Sequence, residues 1–205
     1  MNSFTRIYLI RHGQVINSQA KAYNGHNDVG LSDLGVSQME RVAGRLKREP
    51  VTVVYCSDLI RSRKGAEIIA RDHNLVPISD VNLRELNFGL WEGLTFAEIA
   101  GQFPGELKKW NGSLVDYAIP EGESVADLRE RVIPTAEEIV TRHRGQAIAL
   151  VAHGGVNRVI LADAMNLSLK YMFSMEQDYG CLNIIDYFQD LAVVKLMNGR
   201  TQKDV

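Results

Sequence analysis

Three short apolar runs stand out along the chain, at positions 7–10, 51–55 and 147–151. They are rich in β-branched residues and do not alternate with polar ones, which is the pattern of strands covered on both faces. Each run is followed by a segment that is helical in pattern, so strands alternate with helices along the chain. This order predicts an α/β layered fold around a mostly parallel sheet.

Helical segments follow these strands, with apolar residues three and four positions apart that form one stripe for packing on the sheet. A further segment runs from about Ser124 to Arg142. Pro134 is expected to kink or restart that helix, because proline lacks the N–H that the helical ladder needs. The segments after the three strands open at Ser32, Ser57 and Gly154, and the second runs towards His73.

Two more apolar runs close the chain, at positions 182–187 and 191–197, with Gln189-Asp190 between them. Two such runs around a short polar turn predict a hairpin. Because a hairpin joins antiparallel strands, it is expected to form an antiparallel edge of the sheet.

The stretch at about 83–123 does not fit the alternation of strands and helices. It is rich in glycine and contains both tryptophans and two of the five prolines. Irregular segments of this length within a compact domain are usually functional or mobile. We therefore expect one domain over residues 1–205, in which positions 83–123 form an insertion that caps the site.

The composition of the chain limits which binding partners and which cellular compartment are expected for the protein. With 23 basic and 25 acidic residues the net charge is −2, so charge alone suggests neither a nucleic-acid nor a membrane partner. The first apolar run is too short for a signal peptide, and no run approaches the roughly 20 residues of a spanning helix. A soluble, cytoplasmic protein is expected. Cys56 and Cys181 lack metal-ligand spacing and are expected to be buried thiols.

Charged residues and histidines follow the three predicted strands. Arg11 and His12 end the first run, Arg61 comes shortly after the second, and His153 follows the third. The carboxyl ends of parallel strands lie at one edge of a sheet, where α/β proteins place their ligands. Two helix N-termini, at Ser57 and Gly154, would point free N–H groups into the same crevice. This combination predicts a site for a phosphate group.

The other polar residues do not belong to this cluster, and each has its own expected role. For His26, His73 and His143 a structural role is expected, and Asn17 alone is a turn residue. Glu85 lies in an irregular, partly apolar segment where burial would raise its pKa towards the range useful for a proton donor. A surface glutamate paired with Arg84 is an equally good interpretation of that position.

Other chemistries fit the sequence less well. His12, His153 and Asp58 would be a candidate metal site, but the neighbouring arginines would repel a divalent cation. The chain has no P-loop motif, no dinucleotide fingerprint and no serine nucleophile elbow. No metal and no cofactor are therefore expected.

A set of motifs covers nearly the whole chain in one order. They are residues 9–13 with Asn17, Gly25 with Asp28, 31–35, 57–59 with Arg61, 84–86, 89–93, 120–124 and His153-Gly154. Together they resemble the histidine phosphatase superfamily, also called phosphoglycerate mutase-like. The resemblance implies a three-layer α/β/α fold and a two-step phosphoryl transfer.

The resemblance also implies roles for individual residues. His12 would attack phosphorus and become phosphohistidine, and Glu85 would protonate the leaving group and then activate water. The phosphoryl group would be held by Arg11, Asn17, Arg61, His153 and Gly154. One departure follows Arg61, where the family commonly has Ala and then Thr and this chain has residues 62–66, Ser-Arg-Lys-Gly-Ala. Here Arg63 and Lys64 are interpreted as solvated charges, with a wider basic rim as the alternative.

The substrate is expected to be a small phosphate ester. The tail at 178–186 is similar to α-ribazole phosphatases of cobalamin biosynthesis, which remove a 5′-phosphate. A cofactor-dependent phosphoglycerate mutase, a fructose-2,6-bisphosphatase-like or broad-specificity sugar phosphatase, and a non-catalytic phosphate-binding module are the alternatives. The oligomeric state is open, with a homodimer as one candidate. Five aromatic residues are expected to pack inside the cap or to stack on the substrate: Trp91, Phe96, Phe103, Trp110 and Tyr117.

Overall fold

The computed structural model describes residues 4–200, which build one six-stranded sheet in the order β3-β2-β4-β1-β5-β6. The strands are β1 Thr5–Arg11, β2 Val51–Cys56, β3 Ile78–Ser79, β4 Ala147–Ala152, β5 Leu182–Tyr187 and β6 Ala192–Gly199. The first four are parallel, β5 runs antiparallel to β1, and β6 runs antiparallel to β5. The predicted mostly parallel sheet with an antiparallel edge is confirmed, and the two-residue strand β3 was not predicted.

Within residues 4–200, six α-helices connect and cover these strands. They are α1 Asp33–Leu46, α2 Ile60–Arg71, α3 Phe96–Gln102, α4 Pro104–Gly112, α5 Val125–Arg142 and α6 Gly154–Ala164. The side chain of Ser32 accepts the N–H of Gly35 and so caps α1, and Ser124 caps α5 through a capping box with Asp127. Within the described residues no helix is both long and apolar enough to cross a membrane.

Two apolar clusters lie on opposite faces of the sheet. On one face, α1 and α2 cover the strands with residues such as Met39 and Ile69. On the other face, α5 and α6 contribute residues such as Leu128 and Ile160. Burial of apolar surface on both faces holds the central strands between two helical layers. The expected three-layer α/β/α architecture is therefore present.

Helix α5 continues through Pro134 without interruption, so the expectation that it restarts there is wrong. Proline costs about 3 kcal/mol in a helix interior. Side chains on both sides of it, including Val132, Ala136 and Ile139, are buried in the cluster against α6. This packing holds the helix in one piece against the local preference of proline.

Helix α2 is also unbroken at Gly65, within the segment that departs from the family pattern. A Cβ atom at Gly65 would lie 3.0 Å from Cε of Met39 and 3.3 Å from Cγ1 of Val151. The helix therefore packs on α1 and β4 more closely than a larger residue would allow. Arg63 and Lys64 are exposed on its outer face, as the interpretation of solvated charges predicts.

The segment at 83–123 holds α3 and α4 and packs against the α5–α6 face of the molecule. The ring of Trp91 is buried there and meets that of Trp110 edge to face, with centroids 5.8 Å apart. Phe103 also packs on this cluster, and Tyr117 bonds Glu106, whereas Phe96 is exposed. Most of the five aromatic residues thus make packing contacts.

Candidate active site

The pairing of β1 with β4 places two of the candidate residues beside each other. Arg11 is paired with Ala152 at the last position of the two parallel strands. The N–H of His12 then donates to the carbonyl of Ala152, at 3.0 Å. The rings of His12 and His153 consequently meet edge to face, with centroids 5.1 Å apart.

His12 is held in one tautomer by its own backbone neighbour. Its Nδ1 lies 2.8 Å from the carbonyl oxygen of Gly13, and a carbonyl can only accept, so Nδ1 carries the proton. The lone pair on Nε2 is then free. A side chain on Gly13 would collide with the carbonyl oxygen of Gly35, so only glycine fits there. The ring is nearly buried, with 5% of His12 exposed.

Both histidines favour the neutral form. Burial lowers the pKa of His12 well below its usual value, and the nearby charges of Arg61 and Arg11 lower it further. Burial, followed by Arg61, has the same effect on the pKa of His153. A neutral imidazole can act as a nucleophile, whereas an imidazolium cannot.

These lowered pKa values predict that acid destabilises the fold. Below pH about 6.5 the histidines of the unfolded chain bind protons that those of the folded protein do not. Each of the two histidines should therefore lower the free energy of unfolding by between about 1 and 1.5 kcal/mol per pH unit. Urea unfolding at about pH 7.5 and at about pH 5.5 measures this loss. The double variant His12→Asn/His153→Asn should show a flatter pH dependence. An unchanged slope in that variant would show that other groups are responsible.

Arg61 is buried and its guanidinium is fastened by backbone carbonyls. Its Nη1 donates to Asn27 at 2.7 Å, and its Nη2 donates to Gly25 at 2.6 Å and to Asn24 at 3.1 Å. Nε has no partner among residues 4–200. The charge sits close enough to lower the pKa values of both site histidines. The loop at 24–27 therefore holds a rigid cation beside the two rings.

Glu92 holds this loop in place, and the sequence analysis assigned it no role. Its carboxylate accepts the N–H groups of Gly25 at 3.0 Å and of His26 at 2.7 Å. It also accepts those of Asn27 and Phe88. Four bonds to backbone amides can fix a charged group strongly. Glu92 thus connects the loop that binds Arg61 to the segment that carries the candidate acid.

Glu85 lies at the N-terminus of α6. Its two carboxylate oxygens accept the N–H of Gly155 at 3.1 and 3.0 Å, and one also accepts that of Leu86 at 2.9 Å. Arg84 instead pairs with Asp58, at 2.5 and 2.7 Å. The alternative of a surface ion pair between Arg84 and Glu85 is therefore wrong. Asp58 is likewise engaged, and within the described residues no group of three or more His, Cys, Asp or Glu side chains is placed to hold a metal ion.

The backbone around Glu85 is fixed by two further side chains. Arg131 of α5 donates to the carbonyl oxygens of Arg84 and Glu85 and pairs with Glu123 at 2.5 Å. His26 bonds the same Glu85 carbonyl through Nε2 at 3.1 Å. This contact gives His26 the structural role expected of it. No sequence pattern pointed to Arg131.

Arg11 is placed by the segment before β5. Its Nη1 donates to the carbonyl of Gln177 at 2.5 Å, and its guanidinium stacks 4.0 Å from the centroid of the Tyr179 ring. Tyr179 also lies beside His12, at 5.7 Å between ring centroids. The tyrosine therefore forms a wall of the site that sequence reasoning did not identify.

The remaining two phosphate-contact candidates differ in position. Gly154 begins α6, and a Cβ there would lie 3.5 Å from Nε of Arg11, so Gly154 belongs to the site. Asn17 instead forms a reciprocal pair of amide hydrogen bonds with Asn24, at 3.0 and 3.1 Å. Because Asn24 bonds Arg61 through its carbonyl, Asn17 supports the loop around that arginine.

Sequence comparison matches most of the chain to one family and to named relatives. The family model of the histidine phosphatase superfamily, branch 1, covers residues 7–200. Phosphoglycerate mutase-like protein 4 of Arabidopsis thaliana is 36% identical over 158 residues, covering 76% of this chain and 69% of that protein. A bifunctional protein of Mycobacterium tuberculosis is 33% identical over 198 residues, or 95% of this chain and 54% of its own length. The chain thus spans about half the length of its mycobacterial relatives.

Solved structures share the fold over almost the whole chain. The alpha-ribazole phosphatase from Shigella flexneri superposes with a TM-score of 0.88 at 26% identity, over 98% of each chain. Mycobacterial glucosyl-3-phosphoglycerate phosphatase, in complex with VO3, superposes with a TM-score of 0.83 at 25% identity, over 95% of this chain and 99% of that one.

Proposed function

The chain belongs to the histidine phosphatase superfamily. On this premise we propose that it is a phosphatase that hydrolyses a phosphomonoester through a phosphohistidine on His12. The observation that carries the proposal is the free Nε2 of a neutral, buried imidazole whose Nδ1 is held by Gly13. Two arginines and a second histidine surround that ring. A fixed nucleophile among fixed positive charges suits phosphoryl transfer, in which positioning and charge stabilisation account for most of catalysis.

In the first step, Nε2 of His12 forms a bond to phosphorus while the ester P–O bond breaks. The departing oxygen takes a proton from the carboxyl group of Glu85. Arg11, Arg61 and His153 hold the phosphoryl oxygens, with Gly154 as a further contact, and the two arginines balance the charge that develops in the transition state. Asn17 acts indirectly, by supporting the loop that holds Arg61. An alkoxide is a poor leaving group, so proton donation is most important for alkyl esters.

In the second step, water attacks the phosphohistidine. Glu85, now a carboxylate, takes a proton from the water as its oxygen bonds to phosphorus and the N–P bond breaks. Inorganic phosphate leaves, and both residues return to their starting forms. A covalent intermediate replaces one difficult displacement by two easier ones.

The class of reaction is tested with p-nitrophenyl phosphate in the presence of EDTA. We expect turnover that EDTA leaves unchanged, because the positive charge in the site comes from arginine side chains. Activity that appears only with added metal would contradict the proposal, and so would the absence of turnover. Absence of turnover with tight phosphate binding would favour the non-catalytic binding module.

We propose α-ribazole 5′-phosphate as the substrate. Support comes from the tail at 178–186 and from the similarity to the Shigella flexneri phosphatase. The segment at 83–123 is proposed to cap the site and to select the leaving group. The glucosyl-3-phosphoglycerate phosphatase and the mutase-like relatives support sugar phosphates and phosphoglycerates as second candidates.

A panel of these esters separates the candidates by kcat/KM. A phosphatase releases phosphate from its substrate, whereas a mutase interconverts phosphoglycerates faster than it releases phosphate. A higher kcat/KM on a sugar phosphate or a phosphoglycerate than on α-ribazole 5′-phosphate would overturn the substrate proposal but leave the phosphatase mechanism intact.

A further inference from the structure

Ser57 lies directly behind the second histidine of the site, and the mechanism above assigns it no role. Its Oγ is 2.6 Å from Nε2 of His153. Neither residue has any exposed surface. The contact joins the end of β2 to the end of β4, so both residues are held by neighbouring strands of the sheet.

Among the described residues, the hydrogen of the Ser57 hydroxyl has a single acceptor. The neighbouring Ser62 hydroxyl already donates to the carbonyl of Val151 at 2.6 Å and accepts the N–H of Ser57 at 3.1 Å. Within residues 4–200 the only hydrogen bond of the Ser57 hydroxyl is the one to Nε2 of His153. If Nε2 carried a proton, the hydroxyl hydrogen would be buried without a partner, which is unfavourable.

The other ring nitrogen of His153 has the complementary arrangement. Nδ1 is buried and has no partner within the described residues. A neutral imidazole carries one N–H, and its position is set by the hydrogen bond that the other nitrogen makes. Donation from Ser57 to Nε2 therefore leaves the proton on Nδ1.

We propose that Ser57 is a positioning residue that holds His153 in the Nδ1–H tautomer, so that His153 donates a neutral hydrogen bond to the transferred phosphoryl group. The proposal rests on the phosphatase function proposed above. It explains how a buried ring contributes a donor beside Arg61 and Arg11 without adding a third positive charge. It also makes the two histidines alike in tautomer and different in role: His12 presents a lone pair and His153 presents a proton.

The tautomer can be measured directly. In long-range ¹H–¹⁵N NMR spectra of protein labelled with ¹⁵N-histidine, the pattern of each ring identifies which nitrogen is protonated. The His153 signals are assigned by their absence in His153→Gln. We expect the Nδ1–H form for His153, and we expect its Nδ1 signal to shift when inorganic phosphate is added. A wild-type His153 protonated on Nε2 would overturn the proposal.

Two alanine variants then distinguish an effect on the His153 tautomer from the effect of simply removing a buried hydroxyl. Ser57→Ala should mix the tautomers of His153 and lower kcat on a phosphate ester about 10- to 100-fold, since a hydrogen bond to a charged group is lost in the transition state. Affinity for vanadate should fall more than affinity for phosphate. Ser62→Ala removes an equally buried hydroxyl that does not touch His153, and it should retain the Nδ1–H form.

The outcomes are distinguishable. If Ser57→Ala leaves the tautomer and kcat unchanged, the proposal is wrong. If both alanine variants lose activity equally while the tautomer is unaltered, the effect is structural and the proposal is likewise wrong. If the wild-type protein binds phosphate in the Nδ1–H form but hydrolyses no ester, the phosphatase function fails while the assignment of Ser57 stands.

Discussion

His12→Ala is expected to abolish turnover, with kcat falling on the order of 10⁴-fold or more, as removal of a nucleophile does in other covalent catalysts. The reason is geometric, because Nε2 of His12 is the unprotonated nitrogen at the centre of the charged site. The measurement is the rate on a phosphate ester together with acid-labile labelling of the protein by a ³²P-labelled substrate. Both the rate and the label should disappear.

The control for His12→Ala is His143→Ala. His143 lies at the C-terminal end of α5, away from the sheet edge that carries the site. Its Nε2 is 3.0 Å from the hydroxyl oxygen of Tyr55. The His143→Ala protein should retain both the rate and the label. A labelled His12→Ala protein, or one that keeps its rate, would show that another residue is the nucleophile.

Glu85→Gln is expected to lower kcat on an alkyl phosphate by about 10²- to 10⁴-fold, the usual contribution of a general acid. Glutamine has the size of glutamate and its oxygen can still accept the N–H of Gly155, so the fold should be preserved. It has no acidic proton to donate. The loss should be much smaller for p-nitrophenyl phosphate, because p-nitrophenolate leaves without protonation.

The comparison of the two esters is the measurement that identifies the acid. Glu98→Gln, on the exposed side of α3, is the matched control and should change neither rate. Equal losses on both esters would indicate that Glu85 holds the N-terminus of α6 rather than donating a proton. Turnover of the alkyl ester at the wild-type rate would exclude Glu85 from the chemistry.

Most of the fold could be predicted from the chain. The runs before Arg11, Ser57 and His153 are continuous and apolar, and such strands are stable only between two helical layers, so their order alone predicts the sheet. Strand β3 has only two residues, which is too short for a pattern. Helix α5 shows the opposite case, since the local effect of Pro134 is clear in sequence but is overridden by burial of its neighbours.

The site was predicted less evenly. Arg11, His12 and His153 end or follow strands, and the topology of a parallel sheet brings such positions together. No comparable rule of topology predicts the contacts of Glu92, Arg131 and Ser57. Glu92 and Arg131 bind backbone N–H groups and carbonyls, which nearly every residue possesses, and Ser57 bonds a ring that follows another strand. Sequence spacing contains no signal for partners of this kind.

The sequence by itself determined the alternation of strands and helices and the residue types at the sheet edge, because both follow from burial patterns and chain order. Only the tertiary structure decided which charge meets which partner. Arg84 could pair with Glu85 or with Asp58. In the folded protein it pairs with Asp58, and the Glu85 carboxylate accepts the N–H of Gly155 at the N-terminus of α6. The choice depends on distances across the sheet edge, and those exist only after the layers have packed.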